Sequence, residues 1–484
     1  MLSKKQIILF YIIAIVFVVA NCFFIVKQNS YIAYLFPILL LLLFFPIDKL
    51  LLLSVFFVPF SVHITYFFDF GANLDVPTEP IFIIILVIFL LKLIFEKKHS
   101  YALLKHPVSL SIIAFLAWNF LTSFTSSMPL VSIKHFIMFL WFIIPFYFFM
   151  LRVAKDKKNI TKFLWLYIIP LTFIIIYFII LHSQSFFNRE TANFLQKPFF
   201  NDHTQYGAVL VMFIPILFGF CLNTEYKKII RFFSLLLLIF FIIALILSYA
   251  RAAWLSLIVA IVFVVILKTK INYKVFFVSI AVVIASIFIF QNQIFLYLGN
   301  NKQNSSENLL EHVVSVSNVK TDASNKERLN RWYCAYRMFK EKPVFGWGAG
   351  TYSQQYGIFQ NYSEKTTEST NSGDRGNAHN DYLGFLAETG FIGFLTYVCI
   401  IFSVIITSFK TYARLKSKSL KILLASLICS LCTYFVHAFL NNFLDEDKIA
   451  VPFWGMIAII VVIDVYYSKF EEEKLPEKEN LLSE

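Results

Sequence analysis

Long apolar runs alternate with short polar connections along nearly the whole chain. They fall near 7–26, 31–46, 49–62, 80–95, 108–124, 133–151, 162–181, 205–222, 230–248, 252–267, 274–290, 382–409, 421–440 and 450–467. About 20 apolar residues in helical form cross a bilayer core. The pattern therefore predicts an all-α, polytopic integral membrane protein with about 12–14 transmembrane helices. The second and third runs are short and separated only by Pro46, Ile47, Asp48 and Lys49, so one broken hairpin is an alternative there. Lys4 and Lys5 ahead of the first run imitate a signal peptide. No small-residue cleavage site follows and the run continues to Val26, which favours an uncleaved span.

The polar connections carry a second pattern. Lys97, Lys98 and Lys105 follow the fourth run; Arg152, Lys155, Lys157 and Lys158 the sixth; Lys227, Lys228 and Arg231 the eighth; Lys268 and Lys270 the tenth; Lys410, Arg414, Lys416 and Lys418 the twelfth. Every basic cluster follows an even-numbered run, so all share one face. The positive-inside rule makes that face cytoplasmic. Both termini then face the cytoplasm, the acidic connections at 69–79 and 445–447 face outward, and so does 291–380. The expected organisation is N-terminal transmembrane helices over 1–290, an extracytoplasmic loop with an amphipathic helix over 291–380, C-terminal transmembrane helices over 381–468, and a solvated cytoplasmic tail over 469–484.

That loop, of roughly ninety residues, is long for a structureless connection and so a candidate for function. Its first part is rich in Asn and Ser, whereas order is expected from Ser324, where Ser324 and Glu327 have the spacing of a capping box. Leu329, Trp332, Tyr333, Tyr336 and Phe339 then share one helical face. Arg328 and Arg331 are neighbours on the surface, and Pro343 ends the helix. Paired guanidinium groups suit phosphate, since each can fork two oxygens; a solvated helix meeting lipid headgroups is the alternative.

The FGWGAG stretch at 345–350 reads as a tight turn rather than a phosphate nest, because it matches no nucleotide-binding spacing. The aromatic residues near it suit either sugar stacking or a small core of the loop's own. His379 lies at the start of an apolar run, as a general base or a polar group at a helix entrance. Two outward positions join these. Arg251 lies in the short turn between the ninth and tenth runs, where an arginine is costly unless paired, snorkelling or holding an anion. Asp202 and His203 lie where the eighth run begins, as a polar wall of the same cavity or as a helix cap.

Composition narrows the classes. With 59% hydrophobic and 15% charged residues, this is not a large soluble domain. The net charge of +13 resides in connections next to spans, which explains it without nucleic acid. Five of the six cysteines lie in apolar runs and none forms a metal-ligand pattern. No metal and no cofactor is expected. A transporter is the alternative from another class, but paired broken helices and internal repeats are not evident, and Asp464 is the notable ionisable residue inside a span.

RLNRWYCAYRMFKEKPVFGWGAGTY (328–352) and NAHNDYLGFLAETGFIGF (377–394), supported by SYARAAWLSL around Arg251 and PFFNDHTQYGAVLVMFIP (198–215), resemble the O-antigen ligase and O-antigen polymerase superfamily. The resemblance covers about 198–400. It implies a glycosyltransferase that moves a glycan from an undecaprenyl-diphosphate donor to an acceptor hydroxyl, on the periplasmic side of a bacterial inner membrane and without a metal. Carried over, Arg251 and Arg328 or Arg331 would hold the diphosphate and His379 would assist the hydroxyl. Asp202, His203 and Trp332 would help bind substrate; Arg375 is an additional arginine that could replace one of the others. The implied partners are the lipid-linked donor, lipid A-core or a glycan acceptor, and the bilayer. Lipid A-core as acceptor, a ligase, is preferred to a growing glycan, a polymerase, or a protein hydroxyl.

Overall fold

The computed structural model describes residues 46–66, 74–95, 101–269, 271, 273–279, 282, 323–365, 369 and 376–468. The expected spans at 7–26 and 31–46, most of the one at 274–290, and Arg375 lie outside them. Among the described residues, nine helices are long and apolar enough to cross a membrane. The chain is an all-α, multi-pass membrane protein.

In chain order, α1 is Ile47–Phe57 and α2 is Thr78–Phe95. The nine long helices, among which α9 intervenes, are α3 (Pro107–Phe124), α4 (Pro129–Val153), α5 (Lys157–Ser183), α6 (His203–Leu222), α7 (Lys228–Leu247), α8 (Arg251–Lys268), α10 (Asp381–Arg414), α11 (Lys418–His437) and α12 (Asp447–Tyr467). Helix α9, Ala323–Glu341, is the amphipathic helix of the long loop. Between α1 and α2 a two-stranded antiparallel ribbon pairs β1 (Val62–His63) with β2 (Asp75–Val76). The run expected to span at 49–62 differs from expectation. As α1 it has 11 residues, about 16 Å at 1.5 Å per residue, too short to cross.

Helices α6 and α12 form the centre, each 83% buried over its apolar stretch, against 28% for α7 and 33% for α8. Their sequences say why. GAVLVMFIP in α6 is apolar on every face, so it is surrounded by protein rather than by lipid on one side. Small residues let neighbours approach: a Cβ at Gly207 would run into Ala250, and one at Gly219 into Ser426. The first of these contacts holds the start of α8, and Arg251 with it, against the start of α6.

The polar connections gather at two opposite ends. At one, Lys157 pairs with Glu225 at 2.8 Å, Asn223 donates to Ser419 at 2.8 Å, and the Tyr467 hydroxyl donates to the Lys155 carbonyl at 2.8 Å. Asp464, expected inside a span, is at this end too. It lies in the last turn of α12, held by Arg414, Thr411 and His106. The other end collects the ribbon, the 182–203 segment, the start of α8, the long loop and the start of α12.

Candidate functional site

Four separate parts of the chain build the site. Asp202 N-caps α6: its Oδ1 accepts from the Thr204 and Gln205 amides, both at 2.8 Å, and from the Thr204 hydroxyl at 2.6 Å. The cap fixes the first turn of α6 and places His203 beside it. Arg251 opens α8 two residues after Tyr249, whose φ of 53° turns the chain through the left-handed region. Arginine at a helix N-terminus adds its charge to that of the exposed amides, which concentrates positive potential there. Arg189, Arg251 and Arg328 all lie within electrostatic reach of His203.

Helix α9 contributes Arg328, Arg331 and Trp332, and the face it buries differs from the expected one. Cys334, Ala335 and Met338 are buried against α10 and the glycine turn, whereas Tyr333 and Tyr336 are each 48% exposed. Small residues permit the close approach of the two helices, and the tyrosines take the wet side. Glu327 does not close a capping box. The helix already begins at Ala323, and the Glu327 carboxylate turns along it to Arg331 Nε at 2.8 Å. Arg331 Nη1 also donates to the Asn377 carbonyl at 2.9 Å, and its guanidinium lies 5.4 Å from the Tyr356 ring centre. Arg331 is thus a buried clamp between α9 and the chain leading to His379. Arg337 is a second clamp, donating to the Phe359 carbonyl at 2.7 Å and to Glu364.

His379 is set by its neighbours on both sides. Its amide donates to Asn377 Oδ1 at 3.0 Å, its φ is 46°, and its carbonyl accepts from Trp332 Nε1 at 3.5 Å. Directly after it, Asn380 N-caps α10 through the Leu383 amide at 2.9 Å and donates to the Phe439 carbonyl at 3.0 Å. Asp381 accepts from the Tyr434 hydroxyl at 2.6 Å. A non-glycine residue at positive φ between two such anchors is held there by its surroundings. Burial, then the charges of Arg331 and Arg328, push the His379 imidazolium down to about 3, against a smaller upward pull from Asp202 and Glu327. The imidazole is therefore neutral at physiological pH.

The FGWGAG turn does cradle an anion, but the anion belongs to the protein. Gly346, Gly348 and Gly350 all have positive φ. The amides of Gly350 and Tyr352 each donate at 2.9 Å to the Glu388 carboxylate. Tyr352 stacks on Tyr356, and Trp347 meets Phe359 edge-on, so most of these aromatics form the loop's own small core.

The structure thus brings Asp202, His203, Arg251, Arg328, Arg331, Trp332 and His379 to one place. Two further residues join them that the sequence reading did not single out. Arg189, from a short helix after α5, is one. His437, the last residue of α11, is the other: it is fully buried, its Nε2 lies 3.0 Å from Asn441 Nδ2, and Arg328 and Asp202 act on it electrostatically. A histidine closing an otherwise apolar run was the available signal.

Residues 235–398 match the family model described as O-Antigen ligase. The match supports the O-antigen ligase superfamily for this segment. The superfamily segment contains Arg251, Arg328, Arg331, Trp332 and His379, and it indicates a membrane glycan transferase of the O-antigen ligase/polymerase kind. Asp202, His203 and His437 come from outside it. No curated protein matches the chain.

Proposed function

We propose that the protein transfers a glycan from an undecaprenyl-diphosphate donor to an acceptor hydroxyl on the periplasmic face of the inner membrane, with lipid A-core as acceptor. The observation that carries this reading is the convergence of Arg251, Arg328 and His379 from three separate elements onto one site. The acceptor oxygen attacks the anomeric carbon, the bond from that carbon to the diphosphate breaks, and charge builds on the departing diphosphate. Arg251 and Arg328 stabilise that charge as it develops. Arg331, already committed to Glu327, supports the site as a clamp.

His379 takes the proton of the acceptor hydroxyl. In the empty protein burial and the adjacent guanidinium groups hold its basicity low. A bound diphosphate offsets those positive charges, so the imidazole becomes a better base when donor is present. The arginines supply the charge complement, and the reading calls on no cofactor.

A glycolipid gel of a deletion strain beside its parent tests the acceptor. Core lacking all polymer, with lipid-linked polymer accumulating, supports the ligase reading. Core bearing a single repeat unit assigns a polymerase instead. An unchanged lipopolysaccharide pattern removes both and turns the search to protein hydroxyls.

A further inference from the structure

A second polar cluster lies at the same end of the molecule, outside the superfamily segment. The ribbon pairs His63 with Asp75 across the strands. Their side chains meet with His63 Nδ1 2.9 Å from Asp75 Oδ1. Glu446, which precedes α12, brings its carboxylate to the same point; one donor atom from each of the three lies within 4.8 Å of the others. Chain separation hides the set from any sequence pattern.

Two independent features distinguish it from an ordinary acidic patch. The first is His63 Nδ1, which is sealed from solvent yet makes no directional hydrogen bond to the neighbouring carboxylate. An imidazole nitrogen and a carboxylate oxygen so placed are both atoms that ligate metal ions. The second is charge. Asp75, Glu79 and Asp447 are buried at 4%, 6% and 0% exposure, and Glu446 adds a fourth carboxyl. The ammonium in contact with them is that of Lys448, which donates to Asp447 at 3.2 Å and to Ser61 at 2.7 Å. Four carboxyls against one ammonium are balanced by protons, by the His63 imidazolium or by a further cation.

We infer that His63, Asp75 and Glu446 bind one divalent first-row transition ion, of the Zn2+ or Mn2+ class. An imidazole among the donors favours these over Mg2+ or Ca2+, which take oxygen ligands. The carboxylate of Glu446 is oriented by Asn201 Nδ2, which donates to its Oε1 at 3.0 Å, as outer partners orient metal ligands. Asn201 is next to Asp202, so the ion ties the ribbon and α12 to the wall of the transfer site. Its role is structural, and it stands whether or not glycan transfer is the protein's reaction.

The test uses full-length protein in detergent micelles, stripped with EDTA and then given ZnCl2, MnCl2, MgCl2 or CaCl2. About one equivalent of Zn2+ or Mn2+ should remain after desalting, and the thermal midpoint should rise with that ion and not with Mg2+ or Ca2+. His63→Ala and Glu446→Gln should each weaken retention by at least about tenfold and remove the thermal response. Retention below a tenth of an equivalent in the parent protein would overturn the site. Equal retention by parent and both variants would overturn it as well, by placing the ion elsewhere.

Discussion

Two stretches of the long loop offer positive groups to an anion, and they have come to different ends. The glycine turn at 345–350 aims amides into a cradle already filled by the Glu388 carboxylate. Helix α9 instead divides its arginines. Arg331 is engaged by Glu327, while Arg328 acts on His203, His379 and His437 together. An anion-binding pattern in a sequence becomes informative only once the protein's own carboxylates have been assigned. The turn and Arg331 build the scaffold; Arg328, Arg251 and His379 are the residues proposed to face the substrate.

Mutations can break this division, and the largest effects fall on the second group. His379→Ala, Arg251→Ala and Arg328→Ala should each lower transfer from lipid-linked donor by about 10²–10⁴-fold, with the protein still inserted at parental levels. Full activity in any one of them removes that residue from the mechanism. Arg331→Ala should act on stability instead, because it leaves the Glu327 carboxylate buried without its guanidinium. Breaking such a pair costs about 3–5 kcal/mol, read as a lower thermal midpoint. An Arg331→Ala protein as stable as the parent but inactive would move Arg331 to the chemical group.

Smaller changes sharpen the comparison. Glu388→Gln keeps the size of the side chain but loses one of two amide contacts, and should destabilise by about 1–3 kcal/mol with KM for donor unchanged. The smallest effect concerns pH. An ordinary histidine titrates near 6.5, whereas His379 is held at about 3. Between these values the unfolded chain takes up the proton and the folded one does not. Its contribution to stability is therefore complete above about 6.5 and is lost as pH falls towards 3. The profile of kcat/KM, which reports the free enzyme, should show no histidine inflection between pH 5 and 7. An inflection near 6.5 that disappears in His379→Gln would contradict the neutral, charge-depressed imidazole.

Hydropathy made the spans legible because the length needed to cross a bilayer is a local property of the chain. Arg251, Arg328 and His379 could be singled out as candidates for a related reason: a charged or titratable group beside an apolar run is conspicuous. What stayed hidden depended on tertiary contacts. The wet face of α9 was misread because aromatic spacing outweighed the small residues Cys334 and Ala335, whose use as a close-packing surface appears only when α10 is beside them. Glu327 looked like a cap until Arg331, one turn on, claimed it. His437 sat inside what read as hydrocarbon-spanning sequence, and only the return of α11 towards Arg328 gives it company.

The break at Gly390 carries a mechanical consequence. Its φ of 69° interrupts the 34 residues of α10, and the Phe391 amide is taken by the Pro343 carbonyl at 2.8 Å. The helix is two levers on one pin. The short arm, 381–389, is fastened to the His379 anchor and to the glycine turn, while the long arm runs through the apolar layer. A Cβ at the pin would strike the Val344 carbonyl, so the joint admits glycine alone. The Phe391–Pro343 hydrogen bond and the close approach of Val344 fix the angle at this joint, so the short arm's direction is set by the loop and not by the helical run through the apolar layer.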